Sequence, residues 1–146
     1  MDKRIDLVSA DGGALQPLVP RVGKLGPMAW SPDGTRLAYL GATRRNDPIA
    51  QSVMVIAPGE APRNLTPALE ASATSIDWQD ARTIRFVAQV STKTALYTVP
   101  VAGGPTTMLL GLGAEVFGAV SVARDGNVVA MVASTSSHPN EVYAGT

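Results

Sequence analysis

Apolar residues in this chain fall into short runs separated by turn-forming residues. RIDLVS (4–9), LAYLGAT (37–43), SVMVIA (52–57), TIRFVAQV (83–90), ALYTVPV (95–101) and NVVAMVAS (127–134) are each of strand length and rich in β-branched or aromatic residues. A helix needs apolar positions three and four apart over about ten residues, and the 14 Gly and 11 Pro interrupt nearly every such window. Only TPALEASAT (66–74) has helical propensity, and Pro67 limits it to a turn or two. The pattern predicts an all-β chain.

The turns recur at intervals. MAWSPDGTRLAYL, SIDWQDARTIRFV and AVSVARDGNVVAMV superimpose with Trp30, Trp78 and Val122 at one position, one residue being missing from the middle copy. Asp33-Gly34 and Asp125-Gly126 then share a place, and Asp-Gly between two apolar runs signals a tight hairpin. A third apolar run follows each hairpin (SVMVIAPGEA, ALYTVPVAGG, NEVYAGT), and in the first two copies a short fourth does (RNLTP, TTMLL). RIDLVSADGG and LQPLV at the start read as the third and fourth strands of an earlier unit.

A four-stranded unit of about 40 to 50 residues in tandem has the period of a β-propeller blade. A sandwich also uses short strands, but does not explain the regular return of the tryptophan hairpin. The expected fold is therefore a partial β-propeller of about three four-stranded antiparallel blades. As one propeller segment it divides into the end of a blade (2–20), two blades (23–66 and 71–110) and an incomplete blade (114–146). Closed propellers have about four to eight blades, so the count predicts a segment of a larger protein, with a ring built from several copies as the alternative. Open blade faces and edges predict self-association.

Composition narrows the function. The chain carries 12 basic and 12 acidic residues, so no basic field is available for nucleic acid or an anionic membrane, and neither is expected as a partner. The absence of cysteine removes disulfides, thiolate metal sites and a cysteine nucleophile. MDKRIDLVSADGG lacks the apolar stretch of a signal peptide, which predicts a cytoplasmic protein as written, or a periplasmic one if a leader precedes Met1.

The hairpin WSPDGTRLAYL resembles the TolB-type propeller repeat, and ALYTVPVAGGPTTML resembles the last two strands of that repeat. VARDGNVVAMVASTSSHPNEVYAG is similar to the last propeller blades of acylaminoacyl-peptidase and dipeptidyl-aminopeptidase-like members of the prolyl oligopeptidase family of serine peptidases. The second hairpin departs from this pattern with WQDAR, and the last has Val122 in place of the aromatic. The resemblance implies a non-catalytic propeller that filters access to an α/β-hydrolase domain beyond Thr146, with peptides as the parent's substrates. The alternative is a stand-alone TolB-like propeller that binds a protein or peptide.

The chain offers little chemistry of its own. It has no Gly-x-Ser-x-Gly nucleophile elbow, so no catalytic residue is assigned and no peptidase activity is expected of the chain alone. The single histidine, His138, has Ser136, Ser137 and Glu141 near in sequence and reads as a loop residue. Neither a metal nor a cofactor is expected: Asp33 and Asp125 read as turn residues, and GLGAEVFG (111–118) lacks the third glycine and the helix of a dinucleotide loop. Trp30, Trp78, Tyr39, Phe86, Tyr97 and Tyr143 are expected to pack between blades. Arg44 and Arg45, in the polar loop ATRRNDP, are the candidate contacts for a substrate carboxylate or an acidic partner. Asn64-Leu65-Thr66 matches a glycosylation acceptor.

Overall fold

A computed structural model of the chain describes residues 3–20, 23–44, 50–123 and 128–145. Among these residues there is no helix, and the strands form four antiparallel sheets in which neighbours in sequence are neighbours in space. The first sheet pairs β1 (Ile5–Leu7) with β2 (Gln16–Val19). The second contains β3 (Leu25–Trp30), β4 (Leu37–Gly41), β5 (Ser52–Ile56) and β6 (Arg63–Asn64). The third contains β7 (Ser72–Asp80), β8 (Thr83–Val90), β9 (Lys93–Pro100) and β10 (Thr107–Gly111). The fourth contains β11 (Val116–Val122), β12 (Val129–Ser134) and β13 (Glu141–Gly145).

The three aligned hairpins occupy equivalent places in their ladders. Trp30 pairs with Leu37, Trp78 with Ile84 and Val122 with Val129. The outer two close alike, Ser31 N–H donating to Arg36 O and Ala123 N–H to Val128 O, both at 2.8 Å. In the middle copy the turn shrinks to Ala81 and Arg82, with the Asp80 carboxylate accepting from Arg82 N–H at 2.7 Å. That is where the alignment lacks a residue. Asp125-Gly126 lies outside the described residues.

Alternation along each strand decides which neighbouring sheet a side chain meets. Leu37 and Tyr39 on β4 pack with Ile5, Leu18 and Val19 of the first sheet. Ala38 and Leu40, one residue out of phase, pack with Ile84, Phe86 and Ala88 of the third. Val87 on β8 and Leu96 on β9 turn the other way, onto Phe117 and Ala133 of the fourth. Each middle sheet is thus apolar on both faces, which explains the near-continuous apolar runs.

Polar groups tie the sheets where they meet. The Trp78 indole N–H donates to Ala29 O on β3 at 2.9 Å, and Phe117 N–H donates to the buried Thr94 hydroxyl at 2.8 Å. The segment expected to be helical instead makes a turn at Pro67, with Leu69 N–H donating to Thr66 O, and joins β7 from Ser72. Local propensity loses because Ala73 is buried in the core, pairs with Ala88 and donates to Gln51 O at 2.8 Å.

Gly111 is demanded by close approach. It has φ 129°, and a Cβ there would lie 2.5 Å from Thr94 O and 2.6 Å from Ala95 Cα. We expect Gly111→Ala to cost at least about 2 kcal/mol, from the left-handed backbone and the displaced strand together. Urea unfolding checks this; a loss within about 0.5 kcal/mol contradicts the described contact.

Candidate functional site

The repeat is broken at one buried position. Ala38, Arg85 and Ala130 hold the same place, opposite Ala29, Asp77 and Ser121 respectively. Only the third sheet puts a charge there. Arg85 lies on the face toward the fourth sheet with its side chain 9% exposed, and its Nη2–H donates to Asp77 Oδ2 at 3.1 Å. Its Nε is buried without a partner among the described residues. Burying a guanidinium whose hydrogen bonds are incompletely met is costly, which sets this position apart from its two alanine equivalents.

Beside this pair a groove of about 600 Å³ opens between the third and fourth sheets, walled by Pro32, Asp77, Trp78, Asp80, Arg85 and Val122. Its exposed polar residues, Asp77 and Asp80, can accept hydrogen bonds from the N–H groups of an extended peptide. The run TIRFVAQV marks Arg85 only as a strand residue, because which face of β8 is covered depends on the neighbouring sheet. The available signal was the comparison with Ala38 and Ala130.

The other singled-out residues distribute over both ends of the arc. Successive strands alternate in direction, so the turns β3–β4, β5–β6, β7–β8 and β9–β10 lie at one end, and the links β4–β5 and β12–β13 at the other. Arg44, on β4–β5, is exposed; Arg45 lies outside the described residues. His138 is on β12–β13, its Nδ1 3.1 Å from Ser137 Oγ and 3.2 Å from Thr135 Oγ1 within one exposed turn. Glu141 engages a different partner, accepting from the Tyr143 hydroxyl at 3.2 Å. This bond holds the Tyr143 hydroxyl above its usual range.

Packing of the aromatics is uneven. Tyr39, Phe86, Tyr97 and Trp78 are buried between sheets, and burial pushes the Tyr39 hydroxyl up to about 12. Trp30 departs from the expectation at 45% exposed, against 7% for Trp78. Trp78 is covered by Ala29 on the first strand of the preceding sheet, whereas the first sheet has no such strand among the described residues. Tyr143 is also partly exposed.

Asn64 and Thr66 are committed to structure. Asn64 Oδ1 accepts from Thr66 N–H at 2.9 Å, and the buried Thr66 hydroxyl accepts from Val53 N–H at 3.0 Å.

Asp33 closes its turn by accepting from Thr35 N–H at 3.0 Å and from the Thr35 hydroxyl at 2.8 Å, together with the Ser31 hydroxyl. These bonds, led by that from Ser31, hold its carboxyl at about 2, below the ordinary 3.8. The folded state therefore binds this proton less well than the unfolded one. The contribution is complete above pH 3.8 and is lost as pH falls toward about 2. We expect the melting temperature of the wild type to fall more steeply across this window than that of Asp33→Asn, the two curves converging at the acid end. Parallel curves in an acid melting series exclude the role.

No protein-family model matches the sequence, and no curated protein matches it significantly. Solved structures do match. A puromycin-hydrolyzing peptidase of Mycobacterium tuberculosis superposes with a TM-score of 0.71 at 24% identity, over 91% of this chain and 22% of its own. A protein described as TolB from Agrobacterium tumefaciens superposes at 0.72 and 20% identity, over 97% of this chain and 52% of its own. A lipoprotein of Clostridium novyi gives 0.63 and 12% identity, over all of this chain and 96% of its own. The chain thus spans about a fifth of the peptidase and about half of the TolB protein. At these identities the likeness establishes the fold: an all-β, partial β-propeller of four-stranded antiparallel blades.

Proposed function

We propose that this chain is a propeller module that packs on an α/β-hydrolase domain and restricts access to it, in a serine exopeptidase resembling acylaminoacyl-peptidase. The observation that carries the reading is the superposition on part of the mycobacterial peptidase, whose 24% identity is accompanied by a much longer chain. The peptidase-like tail VARDGNVVAMVASTSSHPNEVYAG adds to it. On this reading the groove beside Arg85 and Asp77, together with Arg44 and Arg45, contacts peptide on its way to the hydrolase, which supplies the nucleophile.

The purified chain is expected to hydrolyse neither acyl-amino-acid nor dipeptide chromogenic substrates; turnover abolished by a serine-directed inhibitor overturns that. The coding sequence downstream of residue 146 is the direct test. An α/β domain with a Gly-x-Ser-x-Gly elbow supports the peptidase, and further Trp-Ser-Pro-Asp-Gly repeats ending in a stop codon overturn it.

A second reading has its own support. The clostridial lipoprotein is nearly the same length as this chain, and the TolB protein is matched equally well in shape. Both favour a binding propeller with no hydrolase attached.

A further inference from the structure

Basic and acidic residues balance over the whole chain, yet one groove between the second and third sheets is walled by three arginines and no acidic residue. Arg36 comes from the β3–β4 turn, Arg82 from the β7–β8 turn and Arg63 from β6; Thr83 and Pro100 help enclose a space of about 470 Å³. The groove lies at the end of the arc opposite Arg44. Its arginines do not follow the repeat, since Val128 takes the place of Arg36 in the last hairpin.

The three guanidinium groups are held differently. That of Arg63 donates to the carbonyl oxygens of Val101 and Ala102, the latter at 2.9 Å, which fixes its charge against the wall. Arg36 and Arg82 are exposed, and neither side chain has a hydrogen bond or ion pair among the described residues. Asp33 and Asp80 of the adjoining turns accept hydrogen bonds within those turns, Asp33 from Ser31 and Thr35 and Asp80 from the Arg82 backbone N–H, and Asp33 also feels the charge of Arg36. Three guanidinium groups around one groove whose wall holds no carboxylate repel, and an oxyanion placed among them converts repulsion into charge-assisted hydrogen bonds. Arginine forks suit such groups, which they grip through two parallel N–H donors.

We propose that this groove binds a ligand through its oxyanion groups, either a phosphoryl group or the carboxylates of an acidic peptide. Arg36 and Arg82 supply the fork donors, Thr83 a hydroxyl, and Arg63 the fixed positive charge.

The test is calorimetric titration of the purified chain with inorganic phosphate and, separately, with acetyl-Glu-Glu, at constant ionic strength made up with chloride. Saturable submillimolar binding of either probe is expected, and which one binds identifies the source of the oxyanion. The double variant Arg36→Ala/Arg82→Ala should weaken it at least tenfold without lowering the melting temperature in chloride. Arg36→Lys/Arg82→Lys, which keeps charge but loses the forks, should fall between, and Lys24→Ala should match the wild type. Absence of saturable heat with both probes overturns the site. So does unchanged binding in the double alanine variant, or displacement by chloride at equal concentration.

Discussion

Phe86→Ala should lower the stability of the chain by about 3–5 kcal/mol, and its melting temperature by more than about 10 °C. Phe86 is 1% exposed and sits in the contact between the second and third sheets, among Leu40, Val53, Ala88 and Val99. Its ring stacks on Tyr97 across the β8–β9 pair, with centroids 5.4 Å apart and planes at 18°. Truncation removes this stacking and leaves a void between two sheets whose backbones are held by their own ladders and cannot close it. Chemical denaturation of wild type and variant measures the effect. A double-mutant cycle with Tyr97→Leu and Phe86→Leu should return a coupling of about 0.5–1.5 kcal/mol. A total loss below about 1 kcal/mol means that the two sheets do not pack through this face.

The blades were legible because a blade is a local object. Its strands are consecutive, its turns are short, and Trp78, Asp33-Gly34 and Gly103-Gly104 recur at the corners where the chain must bend or meet the neighbouring sheet. The β1–β2 and β9–β10 hairpins share even a register shift beside Ile5 and Leu110. What could not be read is what depends on neighbouring blades. Alternation assigns Arg85 to a face of β8 but does not say that this face is covered by Val120 and Val122. Trp30 and Trp78 look alike in sequence and differ in burial because only one has a first strand in front of it. Arg36, Arg63 and Arg82 belong to different strands and turns, and no local spacing unites them. The pattern thus revealed the architecture and left its grooves unseen.

Three cross-strand pairs that the repeat makes equivalent differ in what covers them. Leu40 pairs with Val53 and Val87 with Leu96, each pair packing on the sheet that follows, and Val132 with Val142 holds the same place on the fourth sheet. In the second and third sheets these residues are between 0% and 4% exposed; Val132 and Val142 are 37% and 77% exposed. The fourth sheet therefore presents a face of blade-interface character, and β13 has a free edge among the described residues. An apolar face beside unpaired backbone groups drives association. In sedimentation velocity the wild-type chain should form concentration-dependent oligomers, and Val132→Lys/Val142→Lys should shift it to monomer. The double variant should retain its stability within about 0.5 kcal/mol, because both side chains already meet solvent. Val87→Lys, the same substitution at an equivalent but covered position, should unfold the chain, since a lysine there cannot reach water from between two packed sheets. A monodisperse wild-type monomer, or equal destabilisation by lysine at Val132 and at Val87, contradicts the assignment of this face. The opposite outcomes expected at Val87 and Val132 separate what a blade needs from its own strands and what it needs from the next sheet.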